Sequence, residues 1–145
     1  MTVLERSILI NATPDTIDAF TSDATRWPEW YPGVEQVTPD VGFPQQPGAT
    51  AKIVYKAVGT HFNITFTSTE YDFGRSLAYK MDGMMTGMVR YTLTPEGGGT
   101  RVTGRFDYDV PGGGLGKILD KLVLERMNAE NLEKSLANMK AHIEG

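Results

Sequence analysis

The last fifth of this chain, Leu115 to Ile143, contains one glycine, Gly116, and no proline. Nothing in it interrupts an α-helix, and the run Gly112-Gly113-Gly114 just before it reads as a hinge. At ~1.5 Å per residue such a helix is roughly 43 Å long. A compact domain of this length has a radius of gyration of only about 15 Å. The helix therefore crosses the whole molecule, and the rest of the chain must pack along it. At ~100° per residue, Leu115, Ile118, Leu122, Leu132, Leu136, Met139 and Ile143 fall in one apolar stripe. Glu125 lies near the centre of that stripe, with small Ala129 one turn later. A carboxylate and a gap, where a core helix wants leucine, predict a hollow rather than a filled core.

The preceding residues read as strands with two short helices after the first. Val3 to Ile10 places Leu4, Ile8 and Ile10 on one face and Glu5 and Ser7 on the other. Arg6 falls on the apolar face, either at the sheet rim with its head in water or as a cation facing Glu125. Thr13-Pro14-Asp15 is a helix start, and Ile17, Ala19 and Phe20 give that helix its apolar side. A second helical piece covers Ala24 to Trp30 and stops at Pro32-Gly33. Val34 to Thr38 is a short strand, and 41–48 is a Pro/Gly-rich loop. Beyond it, alternation puts Ile53, Tyr55 and Ala57, then Phe62, Ile64 and Phe66, then Leu77, Tyr79 and Met81 inward. Asp82-Gly83 signals a two-residue hairpin. Val89, Tyr91 and Leu93, then Val102, Gly104, Phe106 and Tyr108, follow on the same face. So regular an alternation predicts an α+β fold of about seven antiparallel strands, one face wet and one covered by the terminal helix. No repeat or low-complexity linker divides residues 1–145, so one domain is expected.

Several kinds of chemistry are excluded. A net charge of −4 without any basic block argues against nucleic acid as a partner. There is no cysteine for a disulfide, a thiolate nucleophile or a Cys-based metal site. The two histidines, His61 and His142, fall on an outward strand face and near the end of the helix, so neither a metal site nor a Ser-His-Asp triad is expected. No cofactor motif is present, and no apolar run is long enough to span a bilayer. With no signal-peptide pattern either, a cytoplasmic protein is expected. What remains is the inward face itself. Four inward tyrosines, Tyr55, Tyr79, Tyr91 and Tyr108, each bring a hydroxyl that needs a partner when buried. Phe62, Phe66, Phe106 and Met81 surround them, with Met84, Met85 and Met88 around one hairpin, a composition that suits a permissive apolar pocket.

The segments Ile10-Asn11-Ala12-Thr13-Pro14-Asp15, Trp27-Pro28-Glu29-Trp30-Tyr31-Pro32-Gly33-Val34, Gly114-Leu115-Gly116-Lys117-Ile118-Leu119-Asp120 and the closing 136–144 carry a resemblance. They resemble the START-like, or Bet v 1-like, helix-grip proteins (SRPBCC), and most of all the polyketide cyclase/dehydrase and lipid-transport branch. The element order agrees over nearly the whole chain. The resemblance implies an apolar ligand cavity between the sheet and the long helix. The sheet's expected contribution to it is Tyr55, Phe62, Ile64, Phe66, Tyr79, Met81, Val89, Tyr91, Phe106 and Tyr108. The helix would contribute Ile118, Leu122, Glu125 and Ala129, while Trp30 with Trp27 would form a lid or seal the short helices to the sheet. Two functions follow. The first is a binder of a hydrophobic or amphipathic small molecule, such as a lipid, polyketide or aromatic metabolite. The second is a cyclase, aromatase or dehydratase that uses Glu125 as its acid or base, with a pKa raised by burial.

Overall fold

The computed structural model describes residues 1–110 and 121–145. Strand β1 (Thr2–Ile10) leads into helix α1 (Pro14–Thr21). Thr13 caps α1 by accepting the Thr16 N–H at 3.3 Å, and Pro14 and Asp15 fill its first turn. A 3₁₀ turn (Ala24–Arg26) precedes the short helix α2 (Trp27–Trp30). Strands β2 (Val34–Pro39), β3 (Thr50–Ala57), β4 (Thr60–Asp72), β5 (Ser76–Gly83), β6 (Thr86–Glu96) and β7 (Gly99–Asp109) follow. Helix α3 (Lys121–Glu144) closes the chain. The glycine run, Leu115 and Ile118 lie outside the described residues.

The seven strands form one antiparallel sheet in the order β1-β7-β6-β5-β4-β3-β2. Strands β2 to β7 run as a meander, and β1 pairs along the outer edge of β7 with Leu4 opposite Phe106. The sheet curves around α3, which is the helix-grip architecture that the resemblance implies. Within the strands the period of two is obeyed closely. In β3, Ala51, Ile53, Tyr55 and Ala57 are buried while Lys52 and Lys56 are exposed. In β4, Phe62, Ile64, Phe66 and Ser68 are buried, and outward-facing His61 meets Glu35 at 2.9 Å.

Two local expectations need correction. Asp82-Gly83 is not the turn, because pairing with Thr65 and Ile64 of β4 carries β5 through both residues. The turn falls at Met84-Met85, where the Met84 N–H donates to Asn63 O at 3.0 Å. Gly83 is still required there. Its φ is +105°, and a Cβ would lie 2.7 Å from Asn63 O. In α1, Ile17 is buried as expected, but its buried neighbour is Asp18, while Ala19 is exposed.

The larger correction concerns α3. Its buried face comprises Leu124, Asn128, Asn131, Leu132, Ser135, Leu136 and Met139. That face is centred roughly 60° round the helix from the expected stripe, at ~100° per residue. Leu132, Leu136 and Met139 belong to both, but Leu122 is 70% exposed and Glu125 is only half-buried. The rotation is possible because the buried polar groups are satisfied. Ser135 donates to Leu132 O at 2.7 Å, and the two asparagines bond tyrosines across the core. It is held from outside by the Asn138 amide on Trp30 O at 3.0 Å and by Lys140 on Leu9 O at 2.8 Å. Arg6 takes the rim position, paired with Glu133 at 2.9 Å rather than facing Glu125.

Candidate binding cavity

Between the sheet, the short helices and α3 lies a cavity of about 90 Å³. Of the described α3 residues, Asn128 and Met139 line it. A Cβ at Gly104 of β7 would lie 2.9 Å from the Tyr91 ring and 3.2 Å from Leu132, so glycine lets the ring and the helix settle over β7.

Of the expected lining, the cavity brings together Trp30, Tyr55, Ile64, Phe66, Tyr79, Met81, Val89, Tyr91, Phe106 and Tyr108. Phe62 is wholly buried but packs behind Tyr55, ring centroids 6.4 Å apart, and does not reach the cavity. Ala129 packs against the core outside it. Leu122 is turned outward by the rotation of α3, and Ile118 lies outside the described residues. Glu125 also misses the lining. It sits at the end of β1, where its Oε1 accepts the Thr2 hydroxyl at 2.7 Å. Both tryptophans line the cavity and are buried. Trp27 seals the short helices by donating its indole N–H to Thr21 O at 2.8 Å.

Five lining residues lie beyond what the sequence pattern picks out, Asp18, Thr21, Tyr31, Ser76 and Asn128, while Met85 comes from the methionine-rich hairpin that it does. Asn128 is the hub of a buried network. Its Oδ1 accepts the Tyr55 hydroxyl at 2.7 Å, and its Nδ2 donates to the Tyr108 hydroxyl at 2.8 Å. Asn131 donates to Tyr55 at 2.9 Å. These bonds fix the amide orientations and saturate one wall. The opposite case is Tyr79, Tyr91 and Trp30, whose hydroxyls and indole N–H are buried without a hydrogen-bond partner among the described residues. An unpaired buried donor costs about 1–3 kcal/mol. All three belong to residues that line the one apolar space.

The electrostatics make these phenols donors rather than bases. Burial pushes Tyr55 up to about 12, with the bond from Asn131 working against the rise. Tyr91 is raised by burial too, and Tyr79 by burial and then by the neighbouring Tyr91. Tyr31 is raised by burial and by the proximity of Tyr91, Tyr55 and Tyr108, so these four phenols converge on one region. Near neutral pH all of them are protonated and can hold a carbonyl or hydroxyl oxygen, but none can abstract a proton. Among the described residues, no three His, Cys, Asp or Glu side chains gather in a way that holds a metal ion, and no helix is long and apolar enough to cross a membrane.

Residues 1–144 match the family described as polyketide cyclase/dehydrase and lipid transport. No curated protein matches the chain. Solved structures do. A Thermus thermophilus protein is 20% identical with a TM-score of 0.81, over 98% of this chain and 97% of that one. A START superfamily protein from Mycobacterium smegmatis is 13% identical, TM-score 0.79, over 98% and 97%. The ZhuI aromatase/cyclase from Streptomyces sp. R1128 is 14% identical, TM-score 0.75, over 99% and 93%. At such identities the likeness is one of fold.

Proposed function

The chain belongs to the polyketide cyclase/dehydrase and lipid transport family, and we propose that its cavity binds a hydrophobic or amphipathic small molecule with oxygen acceptors. The observation that carries this is the set of three unpartnered buried donors, Trp30, Tyr79 and Tyr91, around an otherwise apolar space. A lipid, polyketide or aromatic metabolite bearing carbonyl or hydroxyl oxygens would satisfy them while burying its apolar body, worth about 25 cal/mol per Å² removed from water. The already bonded wall of Tyr55, Asn128 and Tyr108 would stay fixed and serve as a template. Incubating the protein with a library of neutral aromatic and long-chain ligands, followed by native mass spectrometry, tests the proposal. Retention of one ligand per chain supports it; no retention by any member, together with a dry interior, contradicts it.

A second reading, a cyclase, aromatase or dehydratase, has its own support. Tyr108 lies beside Thr2 as well as Asn128, and Thr2 donates to Glu125. Glu125 would then act on a cavity substrate through Tyr108 and Thr2 rather than by direct contact. Glu125→Gln decides this reading. Turnover of a poly-keto substrate surviving at full rate in that variant removes Glu125 as the acid or base.

A further inference from the structure

Asp18 is the only carboxylate among the described residues that line the cavity, and it is 1% exposed. Its two oxygens accept from different partners, Oδ1 from the Tyr71 hydroxyl and Oδ2 from the Gly74 N–H, the latter at 2.7 Å. Each oxygen thus has one donor, and a carboxylate has about four acceptor positions, so capacity is left over. No lysine, arginine or histidine stands among the described lining residues to neutralise it. Strand register locates it. Asp18 is tied to the turn between β4 and β5, and Ser76 just after that turn pairs with Thr92 of β6, whereas Tyr108 pairs with Gly87. Those β6 positions are five residues apart, so at about 3.3 Å per residue the two levels are separated by roughly 17 Å along the strand. The cavity thus has two polar ends, with Tyr79 and Tyr91 at levels between them. Ser76 and Thr21 line the same end as Asp18.

We propose that Asp18, with Ser76, forms a subsite for a hydrogen-bond donor of the ligand, a hydroxyl or a protonated amine, and that it excludes ligands headed by a carboxylate. The inference rests on the cavity being a ligand site, and it sharpens what that ligand is. A second anion would enter an apolar space already holding an uncompensated carboxylate, with no cation in the described lining to receive it. A donor group completes the coordination of Asp18 instead, and an ammonium also cancels its charge.

The test uses three probes with one ring body: 2-naphthylmethanol, 2-naphthylmethylamine and 2-naphthoate, titrated calorimetrically into the whole protein at neutral pH. The alcohol and the amine are expected to bind, with 2-naphthoate weaker by roughly tenfold or more. In Asp18→Asn the amine should weaken by roughly tenfold and 2-naphthoate should come within about threefold of the alcohol. Tyr71→Phe loosens the tether but keeps the charge, so the wild-type order should persist in it. If 2-naphthoate binds the wild-type protein as tightly as the alcohol, or if a folded Asp18→Asn keeps the wild-type order, the subsite is overturned while the cavity remains. Failure of Asp18→Asn to fold leaves the wild-type order and Tyr71→Phe to decide. If no probe binds at all, it is the binding reading itself that falls.

Discussion

A buried hydroxyl contributes to folding only when it is paired, and the tyrosines of this protein fall on both sides of that line. Tyr55 lies between Asn128 and Asn131, whereas Tyr79 and Tyr91 are unpaired. Tyr55→Phe leaves two amide groups unsatisfied and should cost about 1–3 kcal/mol, measured by denaturant unfolding. In the ligand-free protein Tyr79→Phe and Tyr91→Phe should be neutral or slightly stabilising, because each removes an unpaired hydroxyl at almost unchanged volume. The same two variants should weaken binding of a carbonyl-bearing ligand. The phenols also set an alkaline limit. Tyr55 titrates at about 12 in the folded chain, against about 10 when unfolded. Above pH ~10 the unfolded chain has released a proton that the native state keeps, so stability falls as pH rises. The contribution is fully present below pH ~10 and is lost through pH ~12, at most about 2–3 kcal/mol from Tyr55. Unfolding midpoints measured from pH 8 to 12 beside phenolate absorbance should show the two changes together. A flat stability profile across that range would contradict the buried phenols.

The elements differ in how far they can be read from sequence. Strand burial is strictly local and alternates, so Tyr55, Phe66, Tyr79 and Tyr108 are placed inward without any knowledge of the partner strands. The α3 face is misplaced by an apolar stripe because such a stripe assumes that buried means apolar. Here Asn128, Asn131 and Ser135 occupy the buried face, and the recurrence of Leu124, Asn128, Leu132, Leu136 and Met139 at four- and three-residue steps is the available signal. Asp18 is hidden for the same reason, since Ala19 beside it fits an apolar face better by composition alone. What places both polar residues inside is a partner far away in sequence, Tyr55 for Asn128 and Gly74 for Asp18. The rotated helix has its own test. Leu132 is fully buried against β7 and should cost about 2–5 kcal/mol as Leu132→Ala, and buried Leu124→Ala should cost a similar amount. If either cost little, the helix would be seated differently.

On the scale of the whole molecule, a curved sheet closed by one helix leaves a space that neither element fills on its own. The layer arrangement therefore explains why a cavity exists, and the side chains lining it explain what it can hold. The central claim is that a ligand enters that space. Calorimetric titration with 2-naphthylmethanol tests it most directly, comparing the wild-type protein with a variant whose cavity is filled by Val102→Trp. Val102 lines the cavity and is buried, so a larger ring there occupies the ligand's volume. The account predicts saturable binding of one molecule per chain with a negative heat-capacity change, lost in the filled variant while it remains folded. The absence of saturable binding, or binding left intact when the cavity is filled, would contradict it.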